Sequence, residues 1–323
     1  MTKPMIKDLK LNEAVDSCFV IKQKQVKKTV KQEDYLILKL ADASGEIEAR
    51  AWSNCNFAEV LPLLKEDSLV RVFADTGEYQ GKKQLTIKKM KIAEPAEYDL
   101  ADFIRQTKKD IPQTLQKVKD ILNTIQDKDF KKLTGLFLQD EQLLANFAKA
   151  PAAQAMHSAC IGGLLEHVAA MLDMAVFLAE QYPLDRELLL LGVFLHDIGK
   201  LRELEYSKMT FGYTDEGNML GHINIGVEML QEKIRQIPDF PAQKKMLLEH
   251  LILSHHGKPE FGSAKMPMTK EAVALHYIDN IDAKLVGFDE FVENNPTDTN
   301  WTAKAYMFEN NRLYVGDQKA TDA

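Results

Sequence analysis

Up to about Ala93, apolar and polar residues alternate with a period of two. Five segments carry the pattern: "SCFVIKQKQVKKT", "DYLILKLAD", "GEIEARAWS", "SLVRVFADTGEY" and "KQLTIKKMKI". Successive side chains of a strand point to opposite faces, so each segment predicts a strand with one face in a core. Asp42-Ala43-Ser44-Gly45 predicts a turn between the second and third strands. "NFAEVLPLLKED", between the third and fourth, predicts a short helix. After "AEPAEYDLADF" the period changes to 3.6. "DIPQTLQKVKDILNTI" and "DEQLLANFAKA" predict amphipathic helices, with Asp110 and Pro112 marking one start. From Ala150 long helical patterns follow one another, broken by "EYSKMTFGYTDEGNMLGH", which predicts a hairpin-like insert. "NNRLYVG" predicts a short turn and strand near the end.

Five strands with a helix between the third and fourth is the order of an OB-fold barrel. The chain therefore reads as a multidomain α+β protein. It comprises an N-terminal five-stranded OB-fold β-barrel over 1–97, a helical linker over 98–149, a C-terminal all-α bundle over 150–310 and a tail over 311–323. At 323 residues the length suits two domains.

Composition narrows the class. With 45% hydrophobic and 28% charged residues this is ordinary globular material. No apolar run reaches the roughly 18 residues of a membrane span, and "MTKPMIKDLK" lacks the apolar stretch of a secretory signal. Three scattered cysteines, Cys18, Cys55 and Cys160, argue for a reducing cytoplasm rather than a disulfide framework. The net charge of −7 is uneven. Residues 1–97 hold 17 of the 41 basic and 15 of the 48 acidic residues, leaving 24 against 33 beyond. Bulk charge thus excludes a strongly basic nucleic-acid binder, while an acidic half suits a cation site.

The chemistry is concentrated in that acidic half. All eight histidines lie beyond residue 156. In order, "GGLLEHVAAM" (His167), "FLHDIGK" (His196, Asp197), "LGHINIG" (His222), "LSHHGK" (His255, His256) and "HYIDNIDAK" (Asp279, Asp282) each fall on or beside a helix. Histidine is the commonest transition-metal ligand, and bundles assemble ligand sets from separate helices. A mixed imidazole and carboxylate set suits Mn²⁺, Fe, Co²⁺ or Zn²⁺ rather than Ca²⁺ or Mg²⁺. Lys200 lies one helical turn past His196, a cation beside these donors.

The series H…HD…H…HH…D resembles the HD superfamily of metal-dependent phosphohydrolases. Joined to an OB-fold, "HDIGK", "GHINIG", "LSHHGKPEFGS" and "LHYIDNIDAK" resemble, in order and spacing, the YhaM family of bacterial 3′-5′ exoribonucleases. The resemblance implies an HD domain over 150–310, with His167, His196, Asp197 and Asp279 on one metal. Asp197 would bridge to a second metal held by His222, His255 and His256. It implies two divalent ions, Mn²⁺ first with Fe and Co²⁺ as alternatives, such that the pair clamps the attacking and leaving oxygens of a phosphodiester. Asp197 and Lys200 would be catalytic. The implied substrate is single-stranded RNA, with single-stranded DNA also open. No membrane partner is expected, and a homo-oligomer is compatible with the sequence.

Other readings stay open at this stage. His167 also fits a core histidine, His222 a helix start after Gly221, and Asp282 competes with Asp279 as the last ligand. One of His255 and His256 could instead contact phosphate, and His157 is a candidate for the same role or for a surface one. His250 and His276 read as supporting or core residues. In the barrel, Phe19, Tyr35 and Trp52, with Phe73 and Tyr79 behind them, are candidates to stack on bases. Lys22, Lys24, Lys82 and Lys83 flank the strand connections where OB-folds take a strand. The competing functions are a phosphohydrolase of small nucleotides or cyclic dinucleotides, and a non-catalytic binding protein.

Overall fold

The computed structural model describes residues 4–29, 31–79, 81–99, 102–103, 106–153, 160–208, 210–295 and 297–316. It divides into two compact units, Met1–Gln106 with Tyr206–Thr210, and Thr107–Glu205 with Phe211–Ala323.

The first unit is a closed barrel of β1 (Ala14–Lys28), β2 (Asp34–Asp42), β3 (Gly45–Ala51), β4 (Leu69–Tyr79) and β5 (Lys82–Ile92), in the order β1-β2-β3-β5-β4. β1 closes it by serving two partners: Ala14–Val20 pairs with β4 and Val20–Lys28 with β2, with an irregular register between Ile21 and Gln23. β3 and β5 run parallel, every other pair antiparallel. α1 (Phe57–Val60) sits between β3 and β4 and buries Phe57 and Val60 in the barrel core. Asn56 fixes it there: its side chain both donates to Met90 O (2.9 Å) and accepts from Met90 N (3.0 Å). This closed five-stranded topology with its intervening helix is the OB-fold.

The barrel corrects one expectation outright. Phe19 is fully buried among Ile21, Leu36, Val70 and Val72, and cannot stack on a base. Both faces of β1 are covered between Ser17 and Ile21: the inner face by the barrel, the outer by a cluster in which Cys18 and Val20 meet Tyr98 and Phe103. Alternation is therefore silent about Phe19. Two lysines are likewise occupied, because Lys24 Nζ donates to Leu64 O and Lys83 Nζ to Leu9 O. Lys22 Nζ faces Asp67 at 4.0 Å, and Lys82 is exposed.

The second unit is helical: α2 (Ile111–Leu122), α3 (Lys128–Leu138), α4 (Glu141–Phe147), α5 (Gly163–Gln181), α6 (Arg186–Leu195), α7 (Lys200–Glu203), α8 (Asp215–Ile234), α9 (Ala242–Ser254) and α10 (Lys270–Asn294). Short acidic or hydroxyl side chains start α2, α3, α4, α6, α8 and α10, the expected Asp110 among them. Asp110 accepts from Gln113 N at 2.8 Å and Thr269 from Ala272 N at 3.1 Å. The centre is α6, buried at every position from Leu188 to Leu195. A helix apolar all round belongs inside a bundle.

The expected linker does not stand apart. Val118, Leu122, Phe130, Phe137 and Phe147 of α2 to α4 share one core with α5 to α10, and Phe137 and Phe147 lie edge-on to Phe194 (ring centroids 5.8 and 5.5 Å). An amphipathic pattern announces that a face will be buried, not against what. The bundle is not purely helical either. It includes a hairpin, β8 (Trp301–Ala305) with β9 (Asn311–Tyr314), while the expected hairpin, β6 (Leu204–Lys208) with β7 (Thr210–Tyr213), is divided between the two units. No helix among the described residues is long and apolar enough to cross a membrane.

Candidate metal centre

His196 and His255 share one local design. Each follows the last residue of a helix, α6 and α9, at an end that is buried, and turns Nδ1 back onto a carbonyl three residues earlier: Val193 O (2.7 Å) and Ile252 O (2.7 Å). These carbonyls belong to helix C-termini that need donors. A carbonyl can only accept, so Nδ1 carries the proton and Nε2 presents a lone pair. His256 does the same, with Nδ1 2.8 Å from Phe261 O.

The other two imidazoles are held by carboxylates. His222 Nδ1 lies 3.1 Å from Glu203 Oε1, and its backbone N–H donates to the same oxygen at 2.9 Å. Glu203, buried at the end of α7, thus caps the helical segment that begins at His222. That segment begins because Gly221 breaks α8 with φ of 71° and ψ of 153°, a left-handed φ that favours glycine. His222 is therefore a helix start and also a site residue. His167, buried on α5, places Nδ1 2.6 Å from Asp282 Oδ2 and Nε2 3.4 Å from Asp279 Oδ1. Of the two competing carboxylates, Asp279 shares the inward side and Asp282 stands behind the ring. All five Nδ1 atoms are engaged, and the Nε2 atoms converge.

Asp197 is the hub. Its Oδ1 lies 3.4 Å from His222 Nε2 and 3.7 Å from His255 Nε2, and its Oδ2 3.4 Å from His196 Nε2. Lys200 Nζ takes Oδ2 at 2.6 Å. Donor atoms of Asp197, His222, His255 and His256 lie within 4.8 Å of one another, as do those of His167, His196 and Asp197. Asp197 belongs to both groups. Separations of 3.4 Å are long for hydrogen bonds. They suit ligands that each sit about 2.1 Å from a shared cation.

The fit to a cation can be judged energetically. The Nε2 atoms of His196, His222 and His255 and Oδ1 of Asp197 are buried with no hydrogen-bond partner among the described residues. Each orphaned group costs about 1–3 kcal/mol, so four together approach the whole net stability of a domain, about 5–15 kcal/mol. Four lone pairs converging without a donor fit a divalent transition ion. The titration directions agree. Burial pushes His255 and His256 below the ordinary imidazole value, which keeps them neutral donors. Burial opposes charge on Asp197, yet Lys200 and the neighbouring imidazoles hold it well below the usual carboxylate range. Against burial, Asp279 and Asp282 push His167 up to about 9, so without an ion it carries a proton that a metal would replace.

Among the other predicted residues, His276 bonds through Nδ1 to His255 O (2.8 Å), and His250 Nε2 accepts from Met268 N (2.9 Å); both support the loop around the site. His157 lies outside the described residues. Sequence reasoning missed Glu203, which nothing near "KLRELE" distinguishes from a surface glutamate.

On the barrel, Tyr35 stacks on half-exposed Trp52 with ring centroids 4.8 Å apart and planes at 22°. Arg50, also missed, lies with its guanidinium 4.6 Å over Tyr79. Arg71 covers Phe73 at 5.5 Å and is tied to Asp16 and Glu97.

Comparison with known proteins agrees with this geometry. A family model described as "HD domain" matches residues 164–284, the span from α5 to the middle of α10. A 3′-5′ exoribonuclease YhaM from Bacillus velezensis is 35% identical over 307 residues, covering 94% of this chain and 95% of the relative. The protein of that name from Bacillus subtilis is 34% identical over the same length and coverage. Among solved structures, a domain of replication protein A from Methanococcus maripaludis covers 29% of this chain and 97% of its own, with 18% identity and a TM-score of 0.25. With identity above 30% sustained over almost the whole of both chains, the protein belongs to the YhaM 3′-5′ exoribonuclease family.

Proposed function

We propose that the protein is a metal-dependent exoribonuclease that removes 5′-mononucleotides from the 3′ end of single-stranded RNA, and that single-stranded DNA is a secondary substrate. The observation that carries the reading is Asp197: one buried carboxylate shared by two groups of imidazoles, in a chain that also holds an OB-fold barrel. His167, His196, Asp197 and Asp279 would hold one ion, and Asp197, His222, His255 and His256 a second. Mn²⁺ is our assignment, with Fe and Co²⁺ suited to the same donors. Bound there, the ions supply Lewis acidity at the scissile phosphodiester. The chain's own residues do the rest. Lys200 neutralises Asp197 and brings a cation to the place where phosphoryl charge develops. The carbonyl and carboxylate partners on Nδ1 keep five imidazoles in one tautomer and orientation. We place the activity in the cytoplasm on the cysteine usage.

The reaction class is tested with linear and circular single-stranded RNA of one sequence. An exonuclease converts the linear strand to 5′-mononucleotides and spares the circle; a chelator stops it and Mn²⁺ restores it. Cleavage of the circle would contradict the reading.

Two further outcomes are expected. Glu203→Gln keeps the shape behind His222 and removes the charge, and should weaken metal affinity about 10- to 100-fold in chelator competition, with little change in thermal stability. In the barrel, the Tyr35–Trp52 stack and the Arg50–Tyr79 pair are our candidates for holding bases, with Lys22 and Lys82 beside them for phosphates. Trp52→Ala should weaken single-strand binding about tenfold, measured by anisotropy, while hydrolysis of a dinucleotide is unchanged.

A further inference from the structure

The unit that holds the histidines is acidic by composition, yet one surface of it is not. Between Trp301 and Gly316 the charged residues are Lys304, Glu309 and Arg312, and two of the three share a face of the β8–β9 hairpin. The register pairs Trp301 with Tyr314 and Lys304 with Arg312. Thr302, Ala305, Leu313 and Val315 are buried, so the other face turns an aromatic pair and a cationic pair to solvent together. Trp301 and Tyr314 are 45% and 50% exposed, with ring centroids 5.2 Å apart at 66°.

This face is held firmly. Arg312 Nε donates to Thr302 O at 2.9 Å, Leu313 N to Thr302 Oγ1 at 3.0 Å and Val315 N to Asn300 O at 2.8 Å. In the connection between the two strands, Met307 O accepts from Lys284 Nζ, which also lies over the Phe308 ring, and Phe288 meets Phe308 edge-on. Lys284 and Phe288 belong to α10, the helix that also carries Asp279 and Asp282. At 1.5 Å per residue, Lys284 lies only about 8 Å along the axis from Asp279.

We infer that the outer face of this hairpin is a second contact surface for the single-stranded polynucleotide, engaging nucleotides upstream of the one being removed. This rests on the substrate class proposed above. A 3′ end placed at the Asp197 cluster requires the rest of the strand to leave over neighbouring surface, and the hairpin is anchored on a helix of that cluster. Exposed aromatics offer every base a stacking partner, and cations set beside them follow the phosphates; their combination recurs where proteins hold single strands. The cation pair also supplies charge complementarity that the surrounding unit lacks.

The test uses the full chain and a 5′-labelled single-stranded RNA of roughly 20 nucleotides, bound in the presence of chelator so that binding is read without turnover. Trp301→Ala with Tyr314→Ala should weaken binding about tenfold or more, and Trp301→Phe should retain it. Lys304→Gln with Arg312→Gln, which removes both cations and one of the hydrogen bonds that hold the hairpin while leaving its buried side chains in place, should lower the slope of log K against log salt by about 1.4. Dinucleotide hydrolysis should be unchanged in all of them. Unchanged RNA affinity and salt slope in both double variants would overturn the inference. So would a change of oligomeric state with RNA affinity intact, which would make the face a protein interface. If the wild type binds RNA without degrading it, the proposed activity fails, while the binding comparison still decides the role of the hairpin.

Discussion

Asp197→Ala is expected to lower hydrolysis of RNA and of dinucleotides by about 10³-fold or more, and to lower the bound metal content with it. Removing a single preorganised donor from an active site costs about 10²–10³ in rate. Asp197 is more than one donor: Oδ1 faces His222 and His255, Oδ2 faces His196, and Lys200 is held by it. Its loss would leave a buried ammonium without its anion and both imidazole groups without their shared carboxylate. Leaving one partner of a buried pair costs about 3–5 kcal/mol, so metal-free Asp197→Ala should also melt well below wild type. Metal content by elemental analysis separates the two effects, and full metal occupancy in the variant would contradict the bridging role.

The second large effect comes from a residue with no side chain. Gly199→Ala should destabilise the helical unit by about 3 kcal/mol or more. At about 2–4 °C per kcal/mol for a unit of this size, the melting temperature should fall by roughly 6–12 °C. Gly199 has an ordinary helical φ of −64°, so the requirement is steric, not conformational. A Cβ there would lie 2.0 Å from His222 O and 2.6 Å from Gly226 N. Both are backbone atoms, so no rotamer relieves the clash and α8 itself must retreat. Exchange of glycine for alanine in a helix otherwise gains about 1 kcal/mol. The clash outweighs that gain. Because the displaced backbone is that of His222, metal affinity should fall with stability. A calorimetric melt at the wild-type temperature would refute this.

How much of this was legible beforehand follows from where each signal lives. Strand period is local, so the five strands and the barrel order could be read from residues 14–92. The histidines and carboxylates that converge could be read because each sits in its own short helical context, and "FLHDIGK" cannot bury His196 and Asp197 without compensation. What escaped depends on contacts distant in sequence. Phe19 looks like Tyr35 in alternation, but β1 is covered on both faces by segments some 50 to 85 residues away. Arg50 becomes an aromatic partner only when barrel closure brings Tyr79 beside it. Glu203 matters because α8 breaks at Gly221 and presents His222 to it. The linker helices showed an apolar face, while their partner, Phe194, lies in the centre of the next helices.

If a metal-loaded Asp197 site removes nucleotides from the 3′ end of a single strand, the purified protein with Mn²⁺ should degrade a 5′-labelled single-stranded RNA in one direction. Products separated at single-nucleotide resolution beside Asp197→Ala should form a ladder that shortens progressively from the 3′ end, requires the metal and is absent from the variant. Immediate release of the labelled 5′ nucleotide, or an untouched strand in a protein that holds its metal, would contradict the proposed activity.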